Sequence, residues 1–228
     1  MNTSVNLNLA EKFLLLALHP EKAKYLVSDQ ALIAGLTGAI LLDLTLEGKL
    51  EIKNNLLIAT SNKSEISETH NKFLSIIYNF PKKRKIRTWI QRLSNKSQSN
   101  RKHLLQDLKS KGFVKITHQR FLFIPYIRAR LIRKTERNKL IERLRSILVY
   151  STKPDAEIAP LLGLVGAGKM HRVVAKNKTE IKSFRKKLKE LMKSDLIASG
   201  VNQVINEMQA AVAAAVLTST TVATTAGR

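Results

Sequence analysis

The apolar segment from Ala31 to Leu46 constrains this chain more than any other part of it. It reads ALIAGLTGAILLDLTL, with Ser28 and Asp29 in front as helix-start residues and Gly48 behind as a stop. It has no polar face. As a helix it must be covered on every side and cannot lie on a surface. Gly35 and Gly38 would let neighbouring elements come close. At 16 residues the segment is shorter than the roughly 20 a membrane span needs, and a polar-faced hairpin follows at once. The prediction is a mainly α fold, a single helical domain around a buried central apolar helix, with two or more short β-hairpins. The domain is placed at 1–217 and a flexible Thr/Ala-rich tail at 218–228.

Around that helix the periodicity predicts further elements. Leu50/Ile52 and Leu56/Ile58 alternate about Asn54-Asn55, a turn pair that tolerates positive φ. Ile66 to Phe80 reads as a helix with Phe73, Leu74, Ile77 and Phe80 on one side. A short helix follows, with Ile86, Trp89, Ile90 and Leu93 inward. Asn95 to Asn100 reads as a polar loop, and Arg101 to Lys111 as a helix closed by Gly112 at its C′ position. Phe113 to Ile116 and Phe121 to Ile124 pair as a second hairpin that Pro125 ends. Lys134 to Tyr150, Lys178 to Met192 and Val201 to Leu217 complete the helices.

The net charge is +23, from 40 Lys and Arg against 17 Asp and Glu, and it is not spread evenly. Residues 1–60 carry −1, residues 61–150 carry +18 and residues 151–228 carry +6. Solubility alone would mix both signs along a helical surface. Charge concentrated in the middle of a chain points to a polyanionic partner, either membrane phosphates or nucleic acid. The densest run is Lys82, Lys83, Arg84, Lys85 and Arg87, and Lys102 adds to it. Each such side chain near an anionic membrane contributes on the order of 1 kcal/mol. The same run could track a nucleic-acid backbone.

Other chemistries find little support. There is no cysteine, which excludes a disulfide framework and a thiolate zinc site and fits a reducing cytoplasm. Phe13 to Leu18 is too short for a signal-peptide core and follows Glu11. Gly163 to Met170 has the G-x-x-x-x-G-K spacing of a phosphate-binding loop. Met170 cannot replace the hydroxyl that ligates magnesium, and the residues before it look helical where a strand is needed. His19, His70, His103, His118 and His171 are scattered without metal-ligand spacing, and no G-x-S-x-G elbow occurs. The expectation is a protein that is not an enzyme and carries no metal and no cofactor. Two helix-then-hairpin units, ending at Ile58 and Ile124, resemble winged helices and keep nucleic-acid binding as the alternative. The first helix is too apolar to present side chains to base edges. The second, around Arg101, Lys102 and His103, could do so.

An ordered series of segments carries a family resemblance. It starts with LLLAL (Leu14 to Leu18), the GL-x-G from Gly35 to Gly38 and LTLEGKLEI (Leu44 to Ile52). TWIQRLS (Thr88 to Ser94), LKSKGFV leading to FLF (Leu108 to Phe123), and the helix near Leu140 to Leu148 continue it. The series resembles the Golgi phosphoprotein 3 family, as a divergent, bacterial-type member, over Glu11 to Ala215. The resemblance implies a peripheral membrane protein on the cytoplasmic face of a membrane, bound to anionic phospholipid. In the eukaryotic members the headgroup is that of phosphatidylinositol 4-phosphate. The family's headgroup positions fall here on Ser28 (a Trp in the family) and on Thr37, Gln98 and Arg101 (each an Arg), so only Arg101 keeps its charge. Losing the forked guanidinium and the interfacial Trp argues for binding that follows lipid charge more than headgroup identity. Arg101 is expected at a helix start, where backbone N–H groups also face an anion. The hairpin at 113–124, through Phe121, Leu122 and Phe123, is the candidate for self-association into a homo-oligomer.

Overall fold

The structure, a computed structural model, describes residues 6–95, 97–121, 124–191 and 205–217. The first helix, α1 (Leu9–Ala17), and the central helix, α2 (Asp29–Leu46), pack together as the heart of the core. By length and composition α2 could cross a membrane, yet 72% of it is buried within the protein. The two glycines of α2 explain the close packing. A Cβ on Gly35 would overlap the ring of the fully buried Phe13 in α1, and one on Gly38 would overlap Val212. Each Leu buried here contributes about 1.5–3 kcal/mol.

A helix start buried in a core needs partners for its free N–H groups. The Asn8 side chain accepts from the Glu11 N–H at 2.8 Å, and the Glu11 carboxylate accepts from the Asn8 N–H at 2.9 Å. Asp43, from α2, accepts from the N–H groups of Leu9 (2.9 Å) and Ala10 (3.1 Å). Its Oδ2 also lies 3.1 Å from His70 Nε2. At the other end of α1, Arg137 donates to the Leu16 carbonyl at 3.2 Å and supplies the cation that a helix C-terminus favours.

The first hairpin forms as expected. β1 (Leu50–Lys53) pairs with β2 (Leu56–Ala59) across Asn54 and Asn55, both at positive φ. A third strand, β3 (Arg84–Lys85), joins β2 and is unforeseen. Between them α3 (Glu68–Tyr78) starts two residues later and ends two residues earlier than its apolar pattern suggests, because Ser67 caps it. Then α4 (Ile86–Ser94) buries Ile86, Trp89, Ile90 and Leu93, the face read from the sequence.

The next segment corrects two expectations. The polar stretch at Asn95 to Asn100 is mostly helix, since α5 runs Ser97–Ser110. Gly112 closes it at φ +75, and the Phe113 N–H returns to the Leu108 carbonyl at 2.8 Å. The second hairpin is longer and differently registered. β4 (Val114–Phe121) pairs with β5 (Ile124–Leu131), so Phe121 and Ile124 face each other at the tip. Pro125 sits inside β5, opposite Arg120, and does not end the hairpin. A two-stranded ribbon has only edge strands, which tolerate proline.

The remaining helices are α6 (Lys134–Tyr150), α7 (Ile158–Ala167), α8 (His171–Val174), α9 (Lys178–Leu191) and α10 (Ile205–Leu217). The glycine-rich GLVGAGKM therefore lies on a helix and its following turn, with Gly163 and Gly166 inside α7. Ile205, Met208, Val212 and Val216 bury α10 in the core, which runs from Leu7 to Val216. The tail at 218–228 lies outside the described residues.

Arg145 ties α6 to α9 and α8. It grips Glu180 with two bonds of 2.8 and 3.1 Å and donates to the Val174 carbonyl at 2.8 Å. The two bonds from Arg145 to the carboxylate, with one from the Lys176 N–H, hold the Glu180 carboxyl at about 2 against its ordinary 4.5. A depressed carboxylate favours folding above the unfolded value and loses that contribution as pH falls from about 4.5 towards 2. Arg145→Gln should therefore raise the Glu180 midpoint towards 4.5 in an NMR titration and move acid unfolding to higher pH. An unchanged Glu180 midpoint would show that the fork is not its cause.

Candidate functional site

The loop after α1 folds back on it through a bridge between Leu18 and Tyr25 and a bond from the Leu26 N–H to the Ala17 carbonyl. That return places Tyr25 beside the start of α2, where Ser28 caps the helix by accepting from the Ala31 N–H. Arg101 reaches this corner from α5. Its Nη1 donates to Asp29 Oδ1 at 3.0 Å, and its guanidinium carbon lies 5.4 Å above the centre of the Tyr25 ring. Burial raises the Tyr25 hydroxyl above its ordinary pKa although Arg101 opposes the shift. Tyr25, Ser28, Asp29 and Arg101 thus form one cluster.

The other expected members stand apart from it. Thr37 is 3% exposed and faces Ser94 Oγ at 3.3 Å, so it cannot reach a ligand at the surface. The small Thr37 side chain is closed over by its neighbours. The Gln98 side chain lies outside the described residues. Arg101 is the fifth residue of α5 and not at its start. The free N–H groups of the first turn belong to residues before it. Its position rests instead on Asp29 and Tyr25.

The basic run is exposed from Lys82 to Lys85 and again at Arg87. Among the described residues none of these side chains, nor Lys102, forms an ion pair. Two arginines are more ordered than a solvated run would be. Arg84 lies 5.6 Å and Arg92 4.5 Å from the centre of the Phe80 ring, which itself packs edge-on against Trp89 at 5.3 Å. Sequence reading passed over Arg92. Its spacing from Trp89 and Phe80 gave no sign, because Phe80 lies beyond α3 and returns to α4 only in the fold.

The β4–β5 ribbon adds a second basic surface. Lys115 is paired directly with Arg130, and Thr117 with Arg128, with all four exposed. Like charges opposed across a ribbon are destabilising unless an outside anion offsets them. At its tip, Leu122 and Phe123 lie outside the described residues and the Phe121 side chain is not described. The three self-association candidates are therefore placed only by the chain ends that hold them.

Asp43, His70 and Ser67 also line up, with Ser67 Oγ 2.8 Å from His70 Nδ1. His70 is fully buried and Asp43 already holds the start of α1, so this chain of bonds links three helices.

Residues 9–208 match the family described as Golgi phosphoprotein 3 (GPP34). The chain belongs to this family. No curated protein matches it. Arg101, the one arginine kept among the positions the resemblance singles out, lies within the matched residues. Tyr25, three residues before Ser28, lies beneath that arginine.

Proposed function

We propose that this chain is a non-enzymatic peripheral membrane protein that docks on anionic phospholipid headgroups from the cytoplasmic side. The observation that carries the reading is the set of exposed cations without carboxylate partners among the described residues. They lie on β3 and α4 (Arg84, Lys85, Arg87, Arg92), just before them (Lys82, Lys83) and on the ribbon (Lys115, Arg128, Arg130). Family membership supports a lipid surface over other polyanions. The opposed Lys115 and Arg130 support any extended anionic partner.

Arg101, stacked on Tyr25, supplies one fixed contact for a phosphate, and Asp29 must give way when it binds. With Ser28 as a cap and Thr37 buried, attraction follows lipid charge and is screened by salt. Phosphatidylinositol 4-phosphate then binds as one dense anion among others. The hairpin that begins at Phe113 is proposed for pairing with a second copy.

Substitution ranks the two contributions. Arg101→Ala removes a guanidinium held in place and leaves Asp29 uncompensated, so it should weaken binding to acidic vesicles about tenfold. Lys82→Ala, Lys83→Ala, Arg84→Ala and Lys85→Ala should each do less, since one solvated charge contributes about 1 kcal/mol or below. Reversing all four to Glu should cost on the order of 100-fold or more on the same scale. Unchanged affinity in Arg101→Ala with a loss in Lys83→Ala would make the surface diffuse and remove the cluster from it. Duplex DNA in the same assay separates the alternative: tighter binding to DNA than to acidic vesicles at moderate salt would replace this reading.

A further inference from the structure

A groove of about 820 Å³ lies between α7, α9 and α10, at none of the residues considered so far for the membrane. Gly166 and Ala167 form its floor, Leu188 one wall, and Ala210 and Ala213 the other. The floor is closely packed, since a Cβ on Gly166 would meet the Leu188 side chain. Small residues on α10 leave the space open where larger ones would fill it. Its size falls within the range of pockets that take small organic ligands.

Two residues of this groove carry a nitrogen without a hydrogen bond. His171 is 9% exposed, and its Nδ1 is buried without a hydrogen bond; the Gln209 Nε2 is likewise buried and unpaired. Both residues line the groove through other atoms, and these two nitrogens lie beneath its surface. Burial, reinforced by Arg185, lowers His171 to about 4, which leaves it a neutral imidazole at physiological pH. Arg185 and Lys189 stand at the rim, and neither is in an ion pair among the described residues. An apolar groove beside two exposed cations matches one ligand chemistry.

We propose that the groove binds an amphipathic anion, a single aliphatic chain ending in a carboxylate or phosphate. The chain lies along Ala167, Leu188 and Ala213, and the head sits between Arg185 and Lys189. This site is separate from membrane docking and does not depend on it.

Titration calorimetry on the full chain without vesicles tests the idea with four probes: decanoate, decyl phosphate, decanol and inorganic phosphate. The two amphipathic anions should each bind at one site. Decanol should bind at least tenfold more weakly, and inorganic phosphate should give no signal at the same concentration, which separates a lipid-like ligand from a free anion. Arg185→Glu, a surface change that leaves the core intact, should weaken decanoate at least tenfold, and so should Ala210→Trp, which fills the groove. Decanol binding as tightly as decanoate, no decanoate binding below its micelle concentration, or affinity undiminished in both variants would each overturn the proposal.

Discussion

Asp43→Ala should destabilise the chain by about 3–5 kcal/mol, the range for breaking a buried charged hydrogen-bond network. Asp43 serves three donors at once: the Leu9 and Ala10 N–H groups and His70 Nε2. Alanine leaves all three facing a core with no water. Each unmade bond costs roughly 1–3 kcal/mol, and local relaxation recovers part of that. Asp43→Asn should fall between, because its amide can accept from one donor but turns N–H groups towards the others. Urea unfolding measures the difference. For a chain of this size the melting temperature should drop by on the order of 10 °C. A loss below about 1 kcal/mol would mean that α1 finds other partners for its first turn.

Gly35→Ala should also destabilise, by about 1–3 kcal/mol, against the usual preference of helices for alanine. Elsewhere in a helix this change gains up to about 1 kcal/mol. Here the added methyl meets the Phe13 ring, which is fully buried and cannot swing out. Either α1 moves from α2 or the ring leaves its rotamer. Gly35→Ala combined with Phe13→Leu should recover part of the loss, because the two sites share one contact. A stabilised single variant, read by urea or thermal unfolding, would show that the helices pack less closely than described.

The sequence made the core legible where a pattern was local. The featureless apolar run of α2 announced a buried helix, Asn54-Asn55 announced its turn, and Gly112 announced the end of α5. The second hairpin misled because Phe121 to Ile124 is the most apolar part of it, while the true strands continue through Thr117, Gln119, Arg128 and Arg130. The exposed stretch from Thr117 to Arg120 has no hydrophobic alternation to read. The candidate site was less legible still. The resemblance singles out Arg101, but Asp29 and Tyr25 meet it only because the loop after α1 returns to the start of α2. Thr37 shows the converse: a position named by alignment that packing has closed.

The most direct test of the central claim is co-sedimentation of the full chain with vesicles of phosphatidylcholine alone and with vesicles that also contain phosphatidylserine. A third set replaces the serine lipid with phosphatidylinositol 4-phosphate at matched charge. The account predicts sedimentation with both acidic sets, little with the neutral one, and loss of binding as salt rises. Equal partitioning to neutral and acidic vesicles at low salt would contradict it.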